Sequence, residues 1–537
     1  MTTPIPIRRA LVSVSDKSHL DRLARMLVEH RIEVLSTGGT YRALSELGVS
    51  VRKVSEYTGA PEILDGRVKT LHPRIHGGIL AAPTPEHDAE RERHDIPAID
   101  LVVVNLYPFR EVIREPGCDL PRAVENIDIG GPTMVRAAAK NAARVTVVVD
   151  PADYEGVAAA LRQHAGTVPL PLRRTLARKA FAHTAAYDAA IAAHLAQHEA
   201  QHEAPHEASA EREDDAAPVF FVGGERQGVL RYGENPHQAA GLYAVAGEAH
   251  EASGLPQARV LQGKALSYNN LLDADAALAL IRDLEPLGTA AAVLKHASPC
   301  GAAVGQPGQG LCDVFVRARE ADAESAFGGI VALSHEVDAD TARRLCETFL
   351  EVVVAPGYST SAREILAAKK NLRLLELPDM FAEGPPPWRV RSVAGGLLVQ
   401  REDVIRVGAA KARVATRRAP TRTELADLEV AWRVAKHVRS NAIVIAKDGV
   451  TLGIGGGQTS RVEASRQASR HAGEAAAGAV LASDGFFPFR DGVDAAAAVG
   501  VTAVIQPGGS MRDREVVDAA DEHGLAMLLA GERHFRH

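Results

Sequence analysis

Two separate sets of residues in this chain have the types and spacing that anion binding and acid–base chemistry need. The first set begins at residues 64–73, where Arg67 and Lys69 lie beside a glycine and offer several hydrogen-bond donors to an anion. The second set begins far downstream, with Lys295 and His296. One chain with two such sets is predicted to hold two active sites. Three further segments belong to the first set: residues 105–109 (NLYPF), 127–131 (IDIGG) and 137–141 (AAAKN).

Four residues of the first half are candidates for acid–base work: Lys69, Tyr107, Asp128 and Lys140. Asp128 directly precedes a predicted helix whose first turn offers free N–H groups, and Lys140 is placed about two turns into that helix. A lysine beside a carboxylate can carry protons once burial lowers its pKa. We therefore predict a relay that pairs Asp128 with Lys140. For each residue taken alone, an ordinary surface role is the alternative.

Two predicted strand-to-helix turns, at residues 13–17 and 36–40, are candidate phosphate sites. Each places small hydroxyl residues where free backbone N–H groups and the helix dipole attract an anion. Lys17 adds a positive charge to the first turn. The alternative is that Asp16 and Thr40 simply cap the two helices.

In the second half, Lys295 and His296 end a strand that is predicted to be buried. Neighbouring residues on a strand point to opposite faces, so both can serve one site only if the strand ends there. Histidine suits general-base work, and lysine can stabilise an oxyanion; a structural histidine is the alternative. Arg231 in a turn and the glycine-rich loop at 455–461 are further anion-binding candidates, although that loop could also be a flexible connection.

Several classes of function are disfavoured by composition. The formal net charge is −7, and residues 197–217 contribute −6 of it through seven acids and one base, so no basic face for nucleic acid is expected. No secretion signal or membrane-length apolar run is found, which predicts a cytoplasmic protein. Pro299–Cys300 lacks the second cysteine of a zinc-deaminase motif, and no metal site is predicted.

The chain is long enough for two to four domains, and a low-complexity tract divides it. Residues 197–217 begin with a His-Glu-Ala repeat and end in an acidic run, so we predict a solvated linker. The alternative is a helix that presents His198, His202 and His206 to a metal, which Pro205 disfavours. The predicted domains are residues 1–196 and 218–537.

Both flanking parts are predicted to be α/β. Alternating strand and helix patterns in the first part indicate a mostly parallel sheet with helices on both faces. In the second part, strands at 290–295 and 442–447 open two segments with the same order of elements, which predicts two similar lobes. The strands predicted in the first part are 10–14, 32–36, 101–105 and 144–149, and the helices are 17–30, 40–47, 132–141 and 151–164.

Taken together, these segments resemble the bifunctional purine-biosynthesis enzymes that join AICAR transformylase to IMP cyclohydrolase. The motifs SVSDK, STGGT, LDGRVKTLHP, NLYPF, IDIGG with AAAKN, RYGENPHQ, KHASPCGAA and the terminal RHFRH occur in the family's order. The resemblance runs from about residue 8 to the end, apart from residues 197–217. It implies a methylglyoxal-synthase-like parallel-sheet domain followed by two cytidine-deaminase-like α/β lobes.

For the first domain, the resemblance implies dehydrative closure of formyl-AICAR to IMP. Lys140 and Asp128 would carry protons, while Tyr107 and Lys69 would stabilise the developing oxyanion. The residues implied to bind the nucleotide are Ser15, Asp16, Lys17, Thr37, Gly38, Gly39, Thr40, Arg67, Val68, Thr70, Asn105 and Gly130.

For the second half, the resemblance implies formyl transfer from 10-formyltetrahydrofolate, a cosubstrate, to AICAR, with no tightly bound cofactor. His296 would take a proton from the attacking amine, Lys295 would stabilise charge and Asn441 would orient the formyl group. A homodimer is implied, with transformylase sites at its interface. The residues implied to bind AICAR are Arg231, Tyr232, Gly328, Glu351, Arg461, Arg533 and Phe535, with Asp484 near the folate.

Two alternatives remain at this stage. The first domain could be only a nucleotide- or phosphate-sensing module, although such a module does not need Lys69, Asp128 and Lys140 together. The second half could be a scaffold that only supports dimerisation, which the presence of Lys295–His296 and Asn441 disfavours.

Overall fold

The structure is a computed structural model that describes residues 5–202, 220, 222–245, 254–382, 384 and 388–537. The chain divides into two compact units, Met1–Gly224 and Glu225–His537. Within the described residues, no helix combines the length and the apolar character that crossing a membrane requires.

The first unit contains a five-stranded, fully parallel sheet in the order β3-β2-β1-β4-β5. The chain order reverses between β1 and β4, and the crevice at the carboxyl ends of such strands is where open α/β sheets bind ligands. The strands are β1 (Arg9–Val14), β2 (Glu33–Ser36), β3 (Val51–Lys53), β4 (Leu101–Asn105) and β5 (Thr146–Val148).

Helices cover both faces of this sheet, as the βαβ pattern predicts, because each strand is apolar on both sides. The helices are α1 (Leu20–Glu29), α2 (Gly38–Glu46), α3 (Val54–Thr58), α4 (Pro73–Leu80), α5 (Pro85–Arg93), α6 (Phe109–Val112), α7 (Leu120–Glu125), α8 (Gly130–Lys140), α9 (Tyr154–Gln163) and α10 (Leu170–His202).

Three features of this unit differ from the prediction, and the first is that helices α3 to α7 were not predicted. Strand β3 was not predicted, since three residues with one half-buried side chain give no alternating pattern. Helix α10 continues to His202, so the first six residues of the predicted linker, 197–202, are helical. The remainder of that tract, 203–217, with His206 and the acidic run, lies outside the described residues.

The second unit is built around a 12-stranded sheet in the order β16-β21-β20-β19-β17-β18-β10-β9-β11-β12-β13-β8, with two separate two-stranded ribbons, β6-β7 and β14-β15. The strands are β6 (Gly224–Leu230), β7 (Ala240–Val245), β8 (Arg259–Gln262), β9 (Ala290–Lys295), β10 (Ser298–Val304), β11 (Gly329–Leu333), β12 (Leu350–Ala355), β13 (Arg373–Glu376), β14 (Trp388–Val393), β15 (Gly396–Arg401), β16 (Arg413–Val414), β17 (Ile443–Lys447), β18 (Val450–Gly455), β19 (Val480–Ser483), β20 (Ala503–Gln506) and β21 (Ala526–Leu529).

The predicted duplication is present in this sheet. Each lobe begins with a long helix, α11 or α16, continues with an antiparallel hairpin, β9-β10 or β17-β18, and ends with three parallel strands. The lobes join where β10 pairs with β18. The helices are α11 (Tyr268–Leu284), α12 (Leu311–Glu320), α13 (Ala323–Ala326), α14 (Ala339–Leu345), α15 (Thr360–Leu366), α16 (Arg422–Lys436), α17 (Arg461–Ala472), α18 (Asp491–Ala498) and α19 (Asp513–Glu522).

Strand directions decide which residues share an end of the 12-stranded sheet. Lys295 ends β9 beside the start of β11, which is antiparallel to β9. In the other lobe, Ile443 starts β17 opposite Ser483, the last residue of β19. From β9 through β10 and β18 to β17, each strand is antiparallel to the one before it, so β9 and β17 run in opposite directions. The end of β9 and the start of β17 therefore lie at the same end of the sheet, which we call the upper end. The hairpin turn after Lys447 lies at the opposite, lower end.

A buried ion pair joins the first helices of the two lobes. Asp283 on α11 accepts hydrogen bonds from Lys436 Nζ at 2.7 Å and His437 Nε2 at 2.6 Å. Burial opposes ionisation of Asp283, but His437 and Lys436 outweigh it and hold the pKa of this carboxyl far below its usual range. Burial also lowers the pKa of His437, so at neutral pH we assign the positive charge to Lys436.

We predict that Asp283→Asn destabilises the second unit by about 3 kcal/mol at pH 7, because it leaves Lys436 buried without its counter-charge. A carboxyl whose pKa is lower in the folded state than in the unfolded state stabilises the fold at pH values above its unfolded-state pKa. This stabilisation is lost as the pH falls through the folded-state pKa. The difference between parent and variant in urea unfolding must therefore shrink in acid. An equal difference at every pH would contradict the assignment.

Candidate active sites

The loop after β1 is held at the point where the strand order of the first unit reverses. The Asn105 side chain, at the end of β4, accepts hydrogen bonds from the backbone N–H groups of Ser15 at 2.5 Å and Asp16 at 3.0 Å. Its amide nitrogen also donates to the Asp16 carbonyl at 3.0 Å. Asn105 therefore shapes the 15–17 loop, and Lys17 in that loop is exposed.

The second predicted phosphate turn opens α2. Thr37 is the N-cap residue and makes no side-chain capping bond, and a Cβ built on Gly38 or Gly39 meets nothing within 4 Å. There is thus open space beside Gly38 and Gly39, at the first turn of a helix, where N–H groups have no partner within the helix and can bind an anion. The Thr40 hydroxyl instead bonds to both the N–H and the carbonyl of Val14, each at 3.0 Å.

The alternative that Asp16 and Thr40 only cap helices is wrong. The cap residues are His19 for α1 and Thr37 for α2. Asp16 instead accepts a hydrogen bond from the Ser18 N–H at 2.8 Å, within its own loop. Both residues thus stabilise the turns in which a ligand would sit.

The 67–70 turn lies against the start of α8. A Cβ on Gly130 would stand 2.6 Å from the Thr70 hydroxyl, so only glycine allows this approach. Thr70 is buried and Val68 is half-buried. Arg67 is exposed and forms an ion pair with Glu125, so a phosphate would have to compete with that carboxylate.

Three of the four predicted acid–base residues meet at the N-terminus of α8. The Asp128 carboxylate accepts a hydrogen bond from the Gly131 N–H at 2.8 Å. Burial raises the pKa of the Asp128 carboxyl, against the opposing effects of the Gly131 and Tyr107 N–H groups and the Lys69 charge. A Cβ on Gly131 would lie 2.3 Å from Asp128, which explains the glycine at this position.

The predicted pairing of Asp128 with Lys140 within one chain is wrong. Helix α8 begins at Gly130 and ends at Lys140, so Lys140 lies at its far end. Ten residue steps of 1.5 Å place the two ends of the helix about 15 Å apart. Lys140 is exposed there, and a catalytic role for it stays a prediction.

Tyr187 on α10 was not identified from the sequence. Its hydroxyl accepts from the Asp128 N–H at 2.9 Å and donates to the Asn126 carbonyl at 3.2 Å. Its buried ring packs edge-on against Phe109 at 6.1 Å, in the segment that carries Tyr107. A tyrosine in an alanine-rich helix gives no sequence signal for this contact, because the pattern shows only which face is buried.

In the first lobe of the second unit, a group of candidate residues meets at the upper end of the sheet. Lys295 Nζ donates to the Phe327 carbonyl at 2.9 Å, directly before Gly328, whose φ is +75°. His296 is exposed in the turn after β9. Glu351 accepts a hydrogen bond from Asn270 at 2.7 Å.

The turn with Arg231 and Tyr232 follows β6 and lies near the same group. Asn269, at the start of α11, donates to the Glu234 carbonyl in this turn at 3.3 Å, and the next residue of the helix is the partner of Glu351. The Arg231 guanidinium lies 5.4 Å from the centre of the Tyr232 ring.

The second lobe brings its own group to the upper end. Arg461, at the start of α17, donates to Asn441 Oδ1 at 2.7 Å and to Ser483 Oγ at 2.8 Å, and it forms a short ion pair with Asp484. Asn441 Nδ2 donates to the Gln458 carbonyl at 2.9 Å. The side-chain amide of Asn441 is thus held from both ends.

Asp484 was expected to bind ligand, and the structure differs. Its side chain is 0% exposed, and its carboxylate is taken up by Arg461 and the Ser440 hydroxyl. A carboxylate this deep needs a cation partner, because an unpaired buried charge is very unfavourable. Asp484 therefore lies behind Arg461 and holds it in position at the site.

A pocket of about 440 Å³ opens in front of this second group, and the chain's last residues form part of it. Phe535 lines the pocket, and the Arg533 guanidinium lies 4.7 Å from its ring centre. The His534 N–H donates to the Asp484 carbonyl at 3.0 Å. The pocket is also lined by Asn441, Arg461, Phe486, Phe489 and Asp491.

Among the described residues, no three His, Cys, Asp or Glu side chains are grouped so as to hold a metal ion. His206 of the predicted linker repeat is outside those residues.

Two protein-family models match this chain. The AICARFT/IMPCHase bienzyme family matches residues 138–471, and an MGS-like domain matches residues 19–133. The chain belongs to the AICARFT/IMPCHase bienzyme family. The MGS-like match at residues 19–133 lies within the unit that contains the five-stranded parallel sheet, and an α/β region follows.

Curated relatives match nearly the whole chain. A bifunctional purine biosynthesis protein PurH of Brucella canis is 52% identical, over 99% of this chain and 97% of its own length. The PurH of Brucella abortus strain S19 is 51% identical over the same shares. A solved structure titled "Crystal structure of ForH" is 41% identical and covers 35% of this chain and 97% of its own, with a TM-score of 0.32.

We predict that Tyr187→Phe lowers the rate of ring closure about tenfold, because Asp128 loses the contact that fixes its backbone, while the ring still packs on Phe109. The lost hydrogen bond should cost about 1 kcal/mol of stability. Tyr57→Phe is the matched control, since it removes another buried tyrosine hydroxyl of the same unit, one bonded to Pro97. Equal rates for the two variants would show that Tyr187 does not position Asp128.

Proposed function

We propose that the two units divide the two reactions of this family between them. The chain is a bifunctional AICAR transformylase and IMP cyclohydrolase and carries out the last two steps of purine biosynthesis. The proposal assigns ring closure to the first unit and formyl transfer to the second. The main support is the separation of the two residue groups, since Asp128 and His296 belong to different compact units.

In the first unit, ring closure joins the carboxamide nitrogen of formyl-AICAR to its own formyl carbon. The carboxamide nitrogen loses one proton as the formyl oxygen becomes an oxyanion, and the oxyanion takes up that proton. The formamido nitrogen then loses a second proton as the C=N bond forms, and the oxygen leaves as water. We assign proton transfer to Asp128, whose raised pKa brings the carboxyl closer to the range that general acid–base work needs. Lys69 and the Tyr107 hydroxyl are assigned to stabilising the oxyanion.

The nucleotide phosphate is assigned to the N-terminus of α2 and the neighbouring 15–17 loop. Gly38 and Gly39 leave open space at the first turn of α2, beside the switch point of the sheet, and Lys17 adds a positive charge. A phosphate-sensing module would need these turns alone. The grouping of Lys69, Tyr107 and Asp128 beyond them favours an enzyme site over such a module.

In the second unit, the AICAR amine attacks the formyl carbon of 10-formyltetrahydrofolate. We assign His296 to accepting the amine proton and Lys295 to stabilising the oxyanion. The bond between the formyl carbon and the folate nitrogen then breaks, and that nitrogen takes up a proton. Asn441 is assigned to orienting the formyl group, since its amide is held by Arg461 and the Gln458 carbonyl.

A homodimer is proposed because the second unit's two groups are far apart within one chain. Lys295 on β9 and Asn441 before β17 are separated by three strand spacings of 4.8 Å, or about 14 Å. Exposed aromatic side chains flank both groups, including Phe327, Phe349 and Phe486. In a two-fold dimer, the first group of one copy can meet the second group of the other.

We place the enzyme in the cytoplasm, where purine precursors and folates are substrates. We also keep the domains as predicted, with residues 1–196 for ring closure, 218–537 for formyl transfer and 197–217 between them, except that residues 197–202 continue α10.

The division of labour predicts opposite losses for two variants. Asp128→Asn should slow closure of formyl-AICAR about 10²–10⁴-fold and leave formyl transfer unchanged, because general acid–base groups contribute that much. His296→Ala should do the reverse. Each activity is measured with its own substrate, by formation of IMP or of tetrahydrofolate. Loss of both activities in either folded variant would contradict the assignment.

The dimer proposal predicts complementation between two inactive variants. His296→Ala and Asn441→Ala chains are unfolded together, refolded and assayed for formyl transfer. About half of the refolded dimers contain one chain of each variant. If each site combines His296 of one copy with Asn441 of the other, one of the two sites in such a mixed dimer is intact. The mixture should then recover about a quarter of the parent activity. No recovery, with mixed dimers demonstrated by differential tagging, would place both residues in one chain's site.

A further inference from the structure

The turn that carries His296 has an unfavourable backbone for its residue types. His296 and Ala297 are the two residues that connect β9 to β10, and Lys295 pairs with Ser298 across the turn. Both have positive φ, +54° and +55°. A two-residue hairpin loop with both residues at positive φ is a type I′ turn, which favours Asn-Gly or Asp-Gly. Side chains with a Cβ disfavour this left-handed region, so the turn needs support from elsewhere.

Asp273 on α11 supplies that support. Its Oδ1 accepts a hydrogen bond from the Ala297 N–H at 2.7 Å, and its Oδ2 accepts one from the His296 N–H at 3.2 Å. One carboxylate therefore binds the backbone of both left-handed residues. Burial raises the pKa of Asp273, and hydrogen bonds from the two N–H groups oppose that shift. The two N–H groups therefore favour the charged carboxylate in the folded protein.

The second lobe contains the same arrangement without a candidate catalytic residue. Asp448 and Gly449 connect β17 to β18, with φ of +55° and +75°. Asp427 on α16 accepts hydrogen bonds from the Asp448 N–H at 3.0 Å and the Gly449 N–H at 2.7 Å. This turn lies at the lower end of the sheet, away from Lys295 and Asn441.

The two turns differ in how much each depends on the hydrogen bonds to its aspartate. The second lobe uses Asp-Gly, a preferred type I′ pair, whose glycine adopts positive φ without steric cost. The first lobe has His-Ala at the same place, so both of its residues carry a Cβ. A histidine thus occupies a turn that a glycine-containing pair would form more easily. This turn lies at the end of the sheet where Lys295 and Glu351 also lie.

We propose that Asp273 is a positioning residue for formyl transfer: its carboxylate holds the left-handed His296–Ala297 turn and so aims the His296 imidazole at the reacting amine. The proposal rests on the general-base role proposed for His296. A purely structural role is the competing explanation. It would make Asp273 and Asp427 equivalent, each stabilising its own lobe.

The test begins with Asp273→Asn in the full chain. An amide keeps the size of the side chain, but its NH₂ group faces one of the two N–H donors, so one hydrogen bond is lost. We expect kcat for formyl transfer to fall about 10²-fold, the effect of misplacing a catalytic group by about 1 Å. The KM for AICAR should change less than about twofold, since ground-state contacts remain. Closure of formyl-AICAR by the same chain should be unchanged, which reports that the preparation is intact.

Asp427→Asn is the matched control, because it makes the same change in the equivalent turn at the other end of the sheet. It should lower the unfolding midpoint less than Asp273→Asn does, because its turn already contains a glycine, while formyl transfer stays within about twofold of the parent. The rescue variant adds Ala297→Gly to Asp273→Asn, which copies the glycine found at position 449. Glycine removes the need for support, so at least about tenfold of the lost kcat should return.

The outcomes separate the proposal from the assignment on which it rests. If His296→Ala retains formyl transfer, the general-base role fails first. The positioning role is wrong if His296→Ala is inactive but Asp273→Asn keeps its kcat for formyl transfer. It is also wrong if Asp273→Asn loses kcat and Ala297→Gly does not restore it. Equal losses in Asp273→Asn and Asp427→Asn would establish the purely structural explanation. Should Asp273→Asn not fold, Asp273→Glu replaces it, and its kcat must still fall about tenfold for the proposal to stand.

Discussion

The functional loops of this protein depend on one constraint: backbone N–H groups that no helix or strand satisfies must find an acceptor. Side-chain oxygens provide it in three of the candidate loops. Asn105 accepts from the 15–17 loop, Asp128 from the start of α8, and Asp273 from the His296 turn. Each acceptor is itself placed by a strand end or a helix, so the sheet determines the geometry of loops that have no regular structure.

The same constraint ties catalytic groups to buried ones. Asp128 is both a proposed proton carrier and the acceptor for Gly131, and its own N–H is bound by Tyr187. Arg461 holds Asn441 with one side of its guanidinium and the buried Asp484 with the other. The residues proposed to contact substrate are therefore held by partners farther from the site, which gives the proposed catalytic groups a defined orientation before substrate binds.

Duplication explains how the second unit obtained a long sheet with one functional end. Two lobes of the same element order join through β10 and β18, and their antiparallel arrangement brings the end of β9 and the start of β17 to the same side. The lobes then contribute different chemistry. The first offers Lys295 and His296, and the second offers Asn441 and Arg461 beside a pocket that Phe535 also lines.

Much of this protein was determined by its sequence alone. Apolar periodicity predicted four of the five parallel strands and the two similar lobes, because burial on both faces of a sheet leaves a strong local pattern. Motif order predicted the family, and the types of Lys69, Asp128 and His296 predicted proton chemistry. Strand β3 was missed, since a three-residue strand carries almost no periodic signal.

Only the tertiary structure decided which of these residues meet. It separated Lys140 from Asp128 along one helix, buried Asp484 behind Arg461, and placed Tyr187 and Asp273 against backbone groups far away in the chain. Such contacts link positions 59 and 24 residues apart through single hydrogen bonds. A hydrogen bond of that kind leaves no periodicity in a sequence, because it depends on where two rigid elements pack and on nothing local to either residue.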